Sequence, residues 1–318
     1  MRNQTGADYA ASKYHEFTVR QATTLTQFIE GRMSGISRNR LKDILRGHGV
    51  TVDRKLVTQY DYPLQPGQVV RISKHRRSTE LQNKWVKILY EDKDIIVIEK
   101  ATGILSMAAT AKQFCVKTVL DEYFQRRHFK CHAHCVHRLD RDTSGIMIYA
   151  KSIEAAQVMQ EDWKGRVFDR RYCAVVVGEV EHDGGTLRSY LQDNKAYITY
   201  STPVDPTVAT RDLPNQLENG ARLAVTHYHT LHRSADYSLV EMRLETGRKN
   251  QIRVHMQDIG HPVVGDPKYG LEGQFVPNPL HRLCLHAYRL FFYHPMTGER
   301  MEFETPIPTA FRQLVGKL

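Results

Sequence analysis

The chain has 318 residues, 41% of them hydrophobic, and its 45 Lys and Arg against 35 Asp and Glu leave a formal net charge of +10. That length supports two domains, no segment approaches the roughly 18 apolar residues of a membrane span, and the opening MRNQTGADYAASKYHEF lacks the apolar run of a secretory leader. Five scattered cysteines, at 115, 131, 135, 173 and 284, do not read as a disulfide framework. The cytoplasm is therefore the expected address, and the excess positive charge points to a polyanionic partner.

Residues 1–15 read as a tail. TTLTQFIEGRM then spaces Leu25, Phe28 and Ile29 as one apolar helical stripe, and SRNRLKDILRGHG repeats it with Leu41, Ile44 and Leu45 between a Ser37 cap and a Gly47 stop. On this second helix Arg38, Arg40, Lys42 and Arg46 fall largely away from the stripe, and the strand-like VTVDRKLV adds Arg54 and Lys55. A Pro/Gly turn, YPLQPGQ, leads to the strand VVRIS, and the charged residues 76–85 read as a linker. Two helices, a strand and "PGQVVRI" resemble the small RNA-binding module named after a protein of the small ribosomal subunit. The resemblance implies an RNA-binding unit over residues 16–75, with Arg40, Lys42, Arg46, Arg54 and Lys55 on phosphates.

From residue 86 to 318 the period becomes that of strands. WVKILY and IIVIEK form a hairpin across EDKD; IMIYAKS, RRYCAVVVGEV, AYITYST, RLAVTHYHTL and YSLVEMRLET follow; RLFFYHP and RMEFETP are joined by MTGE. SIEAAQVMQEDWKG, KNQIRVHMQDIG and PTAFRQLVGKL are the helical candidates, and 203–221 reads as an irregular loop. Strands joined mostly by turns predict an α+β domain, a mixed and mostly antiparallel sheet with peripheral helices.

The densest chemistry lies in CHAHCVHRLDRDTSG, residues 131–145. Cys131, His132, His134, Cys135 and His137 offer metal donors, but a structural zinc site wants a second pair of ligands, and Cys173 and Cys284 sit isolated inside apolar strands. No metal is expected. There is no GxxxxGK[ST], no GxGxxG after a strand and no GxSxG elbow, so nucleotide cradles and a serine nucleophile are not expected either. What remains is Asp140, flanked by Arg138 and Arg141, an arrangement expected to keep a carboxylate ionised on a loop that turns through Thr143, Ser144 and Gly145.

VHRLDRDTSGIMIYAKS closely resembles the catalytic motif of the RluA-type pseudouridine synthase family. ILYEDKDIIVIEKATG, RRYCAVVVGEV, LETGRKNQIRVHMQDIGHPVVGDPKYG and LHAYRLFFYHPMTGERMEFETPIP follow in the family's order, so the resemblance covers residues 86–312. It implies isomerisation of a uridine in RNA, with no metal or other cofactor. By the same resemblance Asp140 is the essential carboxylate, acting as nucleophile at the anomeric carbon or as a base that yields a glycal. Arg253 is the arginine that pairs with it, Tyr172 the tyrosine that stacks on the uracil, and Arg138 the arginine that enters the RNA stack where the uridine leaves.

Two positions depart from the family pattern. Asn250 stands where histidine is usual and can still donate a hydrogen bond, so altered positioning rather than lost activity is expected, and Ala101 stands where proline often follows lysine. TGR and GHPVVGDPKYG read as structural loops. The expected enzyme is a monomer acting on large-subunit ribosomal RNA, with transfer RNA as the alternative substrate; a non-catalytic RNA-binding protein of the same fold is the rival reading.

Overall fold

The structure, a computed structural model, describes residues 14–33, 36, 41, 44–45, 49–57, 59–73, 81, 83–108, 110, 113–270 and 276–316. The N-terminal stretch builds β1 (Tyr14–Thr18), β2 (Thr23–Thr24), α1 (Leu25–Arg32), β3 (Val50–Val52), β4 (Lys55–Leu56), β5 (Pro63–Leu64) and β6 (Val69–Ser73). Thr24 caps α1, as its side chain accepts from the Gln27 N–H. Leu25, Phe28 and Ile29 bury the predicted stripe against Leu41, Leu45, Val50, Val70 and Ile72, in a hydrophobic cluster of their own.

Two sequence expectations change here. β1 begins inside the predicted tail and pairs antiparallel with β6. VTVDRKLV is a hairpin rather than one strand: Asp53 and Arg54 turn the chain with φ of 49° and 68°, and the Asp53 carboxylate holds the turn by accepting from the Val69 N–H at 2.8 Å. Arg40, Lys42 and Arg46 lie outside the described residues, and the predicted basic helical face with them.

The rest of the chain runs β7 (Val86–Glu91), β8 (Ile95–Lys100), α2 (Val116–Arg126), β9 (His134–Cys135), β10 (Ser144–Ala150), α3 (Ile153–Glu161), α4 (Trp163–Arg166), β11 (Val167–Val177), β12 (Gly184–Asp193), β13 (Thr199–Pro203), β14 (Arg222–Arg233), β15 (Tyr237–Leu244), α5 (Gln251–Asp258), β16 (Leu285–Tyr293), β17 (Arg300–Glu304) and α6 (Thr309–Leu314). One sheet takes in all these strands in the order β13-β12-β14-β15-β11-β16-β10-β8-β7, with β17 on β16 and β9 on β10. β10 and β16 pair parallel and their neighbours antiparallel, so the fold is α+β as expected. No helix among the described residues is long and apolar enough to cross a membrane.

The sequence reading missed α2, whose Val116, Val119, Leu120, Tyr123 and Phe124 are all buried at helical spacing. It also missed β12, which opens on two glycines and looks like a turn. The predicted helix through EDWKG breaks at Asp162, whose side chain accepts from the Gly165 N–H and starts α4 afresh.

Sheet register sets how far apart the segments bearing Asp140 and Tyr172 stand. Ala287 in β16 lies opposite Gly145 in β10 on one side and Tyr172 in β11 on the other. Adjacent strands lie about 4.8 Å apart, so the loop entering β10 and the Tyr172 strand are held about 10 Å apart across a single strand. Gly145 is required there: with φ of 128°, a Cβ would come within 2.2 Å of the Ala287 carbonyl oxygen.

Candidate active site

An open cleft of about 970 Å³ lies between the loop before β10, β11 and the start of α5, and Arg138, Asp140, Tyr172, Asn250 and Arg253 line it together. Asp140 comes from the loop before β10, Tyr172 from β11 and Arg253 from the first turn of α5, which packs on β12, β13 and β14. Three distant segments thus converge on one cleft. Arg138 is exposed at the rim. Arg54 and Lys55 lie outside this cleft on the N-terminal hairpin.

The electrostatics of Asp140 differ from the expectation. Burial pushes its carboxyl up from the ordinary value, against the opposing pull of Arg253, Arg138, Lys100 and Lys249. Arg141, its sequence neighbour, is not among these cations and turns to Asp142, with Nε to Oδ1 at 3.1 Å.

Arg253 also differs. Its guanidinium grips Asp266 in a fork, Nε to Oδ2 at 2.7 Å and Nη2 to Oδ1 at 2.6 Å, and donates to Asn250 Oδ1 at 2.9 Å. It therefore reaches Asp140 through its field, while two of its donors grip Asp266 and a third meets Asn250. Asp266 belongs to the GDPKYG loop that the sequence reading took as structural. Its Oδ1 accepts in addition from the Lys268 and Tyr269 N–H groups at 2.9 and 3.0 Å.

Asn250, the departure from the family pattern, caps α5 with φ of 54°. It is one of the few residue types that tolerates this left-handed conformation without glycine. Its Nδ2 donates to the Tyr269 hydroxyl at 2.9 Å, so Asn250 links Arg253 to the loop carrying Asp266. Beneath Asp140, the fully buried Lys100 donates to the carbonyls of Ala101, Ile104 and Arg141 at 2.9, 2.8 and 2.9 Å. Burial pulls its pKa down to about 7 against the attraction of Asp142 and Asp140, while the three acceptors use every hydrogen of the ammonium form. Lys100 was missed because nothing in IEKATG shows that this lysine turns inward.

Tyr172 is buried, and burial pushes its hydroxyl up, so it stays protonated at neutral pH. Arg170 stands over its ring at 6.0 Å. Two side chains of the Cys/His run make hydrogen bonds with backbone groups. Cys135 Sγ donates to the His137 carbonyl at 3.0 Å, burial raises the Cys131 and Cys135 thiols, and His137 Nε2 accepts from the Ile148 N–H at 3.1 Å. Asp92, Asp94 and His294 do lie close enough together to hold a metal ion. They are already engaged: His294 Nε2 meets Asp92 Oδ2 at 2.9 Å and Lys93 Nζ meets Asp94 Oδ1 at 2.8 Å.

The family model described as RNA pseudouridylate synthase matches residues 94–258. An RNA pseudouridine synthase of Bacillus subtilis, YlyB, is 32% identical over 311 residues, covering 92% of this chain and 93% of that one. The ribosomal large subunit pseudouridine synthase D of Pseudomonas aeruginosa is 32% identical over 303 residues, covering 89% of this chain and 88% of its own. Among solved structures, human RNA pseudouridylate synthase domain containing 4 is 27% identical with a TM-score of 0.56, covering 70% of this chain and 89% of that chain. With the cleft carrying the residues of the family's motif, the chain belongs to the RNA pseudouridylate synthases of the RluA type and is an RNA-modifying isomerase.

Proposed function

We propose that this enzyme converts specific uridines of large-subunit ribosomal RNA to pseudouridine in the cytoplasm, with Asp140 as the reacting carboxylate. The observation that carries the assignment of roles is the convergence of Asp140, Tyr172 and Arg253 on one cleft. The relatives named for the large ribosomal subunit support the choice of RNA. The separate N-terminal hydrophobic cluster supports a folded unit running from β1 to β6, which we read as the RNA-binding module, joined through 76–85 to a catalytic domain over 86–318.

In the reaction the N1–C1′ bond of uridine breaks, the uracil turns, C5 bonds to C1′, and the C5 proton is lost as N1 gains one. Asp140 attacks C1′ or removes a ribose proton; both routes need the carboxylate ionised. Arg253, Arg138, Lys100 and Lys249 offset the burial that opposes ionisation, and Asp266 with Asn250 holds Arg253 in place. The protonated Tyr172 ring offers the turning base a flat surface, whose attraction is less directional than a hydrogen bond. Arg138, exposed at the rim, enters the stack vacated by the uridine, which offsets part of the few kcal/mol that flipping costs.

The test is Asp140→Asn, which keeps shape and removes charge. Tritium release from unmodified large-subunit RNA labelled at uracil C5 should fall to background while RNA binding persists. Substantial residual release would remove Asp140 from the chemistry, and release from transfer RNA alone would move the substrate.

A further inference from the structure

Phe168 lines the wall of the cleft and is nonetheless 36% exposed. It is the extra residue of a bulge, since Val167 pairs with Phe292 and Asp169 with Phe291, and a bulge re-aims the side chain it carries. The Phe168 ring lies 5.0 Å from that of Tyr293 and 6.1 Å from that of Phe291, and the Arg300 guanidinium stands over it at 4.8 Å. Tyr293 is itself 40% exposed. A strip of flat groups thus leaves the cleft wall and crosses the outer ends of β11, β16 and β17.

The charge of this strip differs from that of the cleft. Arg300 is paired with Glu302 at 2.6 Å, and Arg289, over Phe291, with Glu304 at 3.0 Å and Asp169 at 3.4 Å. The cleft, by contrast, is lined by Arg138, Lys164, Arg170, Arg243 and Arg248 against Asp140 and Glu245. A near-neutral aromatic surface continuous with a cationic cleft suits the bases of a nucleic acid whose phosphates follow the cations. Arg300 also shares a small cavity with Arg54, so the strip leads toward the N-terminal hairpin.

We propose that Phe168 and Tyr293 form a stacking platform for the unpaired nucleotides adjoining the flipped uridine, a role that rests on reading the cleft as the uridine site. Extruding one base strips its neighbours of a stacking partner, and an aromatic ring restores that partner whatever the base, because every base has a π-face. The platform therefore contributes affinity for single-stranded flanks with little sequence preference. It also carries a signature that phosphate contacts lack: loss of affinity with no change in salt dependence.

The experiment is equilibrium binding of a fluorescein-labelled single-stranded RNA with one central uridine to the full chain, titrated over a range of salt concentrations. Phe168→Leu and Tyr293→Leu keep apolar bulk and remove the flat face, so the melting temperature should be unchanged while each weakens binding about tenfold. The log-log salt slope should stay that of the wild type, and Phe168→Trp should bind at least as tightly. Folded leucine variants that bind like the wild type overturn the platform. A weakening accompanied by a flatter salt slope overturns it too, because the strip would then act on phosphates. A leucine variant that melts lower and binds normally would make the strip a packing surface. These curves read binding and not turnover, so failure of the Asp140 assignment would show separately, as tritium release by Asp140→Asn.

Discussion

Asp140 carries two opposed demands. The chemistry proposed for it needs the carboxylate ionised, yet burial lifts its pKa above the ordinary 3.8. Between these two values the folded protein holds a proton that the unfolded chain has released, so stability falls as pH rises through that window and the penalty is complete above it. Asp140→Asn has no charge to bury and should melt higher than the wild type at neutral pH, an advantage that disappears in strong acid, where both states of the wild type are protonated. Calorimetry across pH checks this, and a variant that melts lower at neutral pH contradicts it. Activity runs the other way. The rate in single turnover should fall as pH drops through the raised pKa, an acid limb lying above the range of a free aspartate.

At the scale of elements, the site depends on how α5 is tied to the loop that follows it. Asp266, 4% exposed, holds Arg253, 5% exposed, through a two-pronged pair with little water to share the charge. Breaking such a pair from one side leaves a buried charge unmatched, which costs about 3–5 kcal/mol, whereas removing both charges can be nearly neutral. Asp266→Asn should lose stability on that scale by urea unfolding and lose activity with it. Adding Arg253→Met should recover much of the stability and none of the rate, because the field of the guanidinium on Asp140 is gone. A double variant with near-normal tritium release would make the pair purely structural.

On the scale of the whole molecule, groups proposed to contact the reacting base are separate from those proposed to choose the RNA. Arg54 and Lys55 are exposed on a hairpin braced by Asp53, on a unit with its own hydrophobic cluster. Changing both to glutamine should weaken RNA binding and lower the log-log salt slope by about 0.7–0.9 units for each phosphate that is no longer neutralised. The single-turnover rate at saturating RNA should stay within about tenfold, a barrier change of about 1.4 kcal/mol. An unchanged slope would leave this hairpin without a part in RNA binding.

Much of this protein is written locally. Strand period and turn residues specify most of the strands and so the α+β sheet, because backbone preference and side alternation act over a few neighbouring residues. That Asp140, Tyr172 and Arg253 share a site is implied by the resemblance of their motifs, and the fold brings them to one cleft. α2 was legible too, in the spacing from Val116 to Phe124. Other features depend on groups that only the fold brings together. Arg141, beside Asp140 in sequence, turns to Asp142, while Lys100 and Arg253 supply field from afar. Arg253 finds Asp266 across a helix and a loop, and Lys100 is enclosed by carbonyls from two segments. The direction of the Asp140 pKa follows the same logic: sequence neighbours argued for a lowered value, but desolvation is set by all the atoms packed around a group, and only the tertiary structure decides which atoms those are.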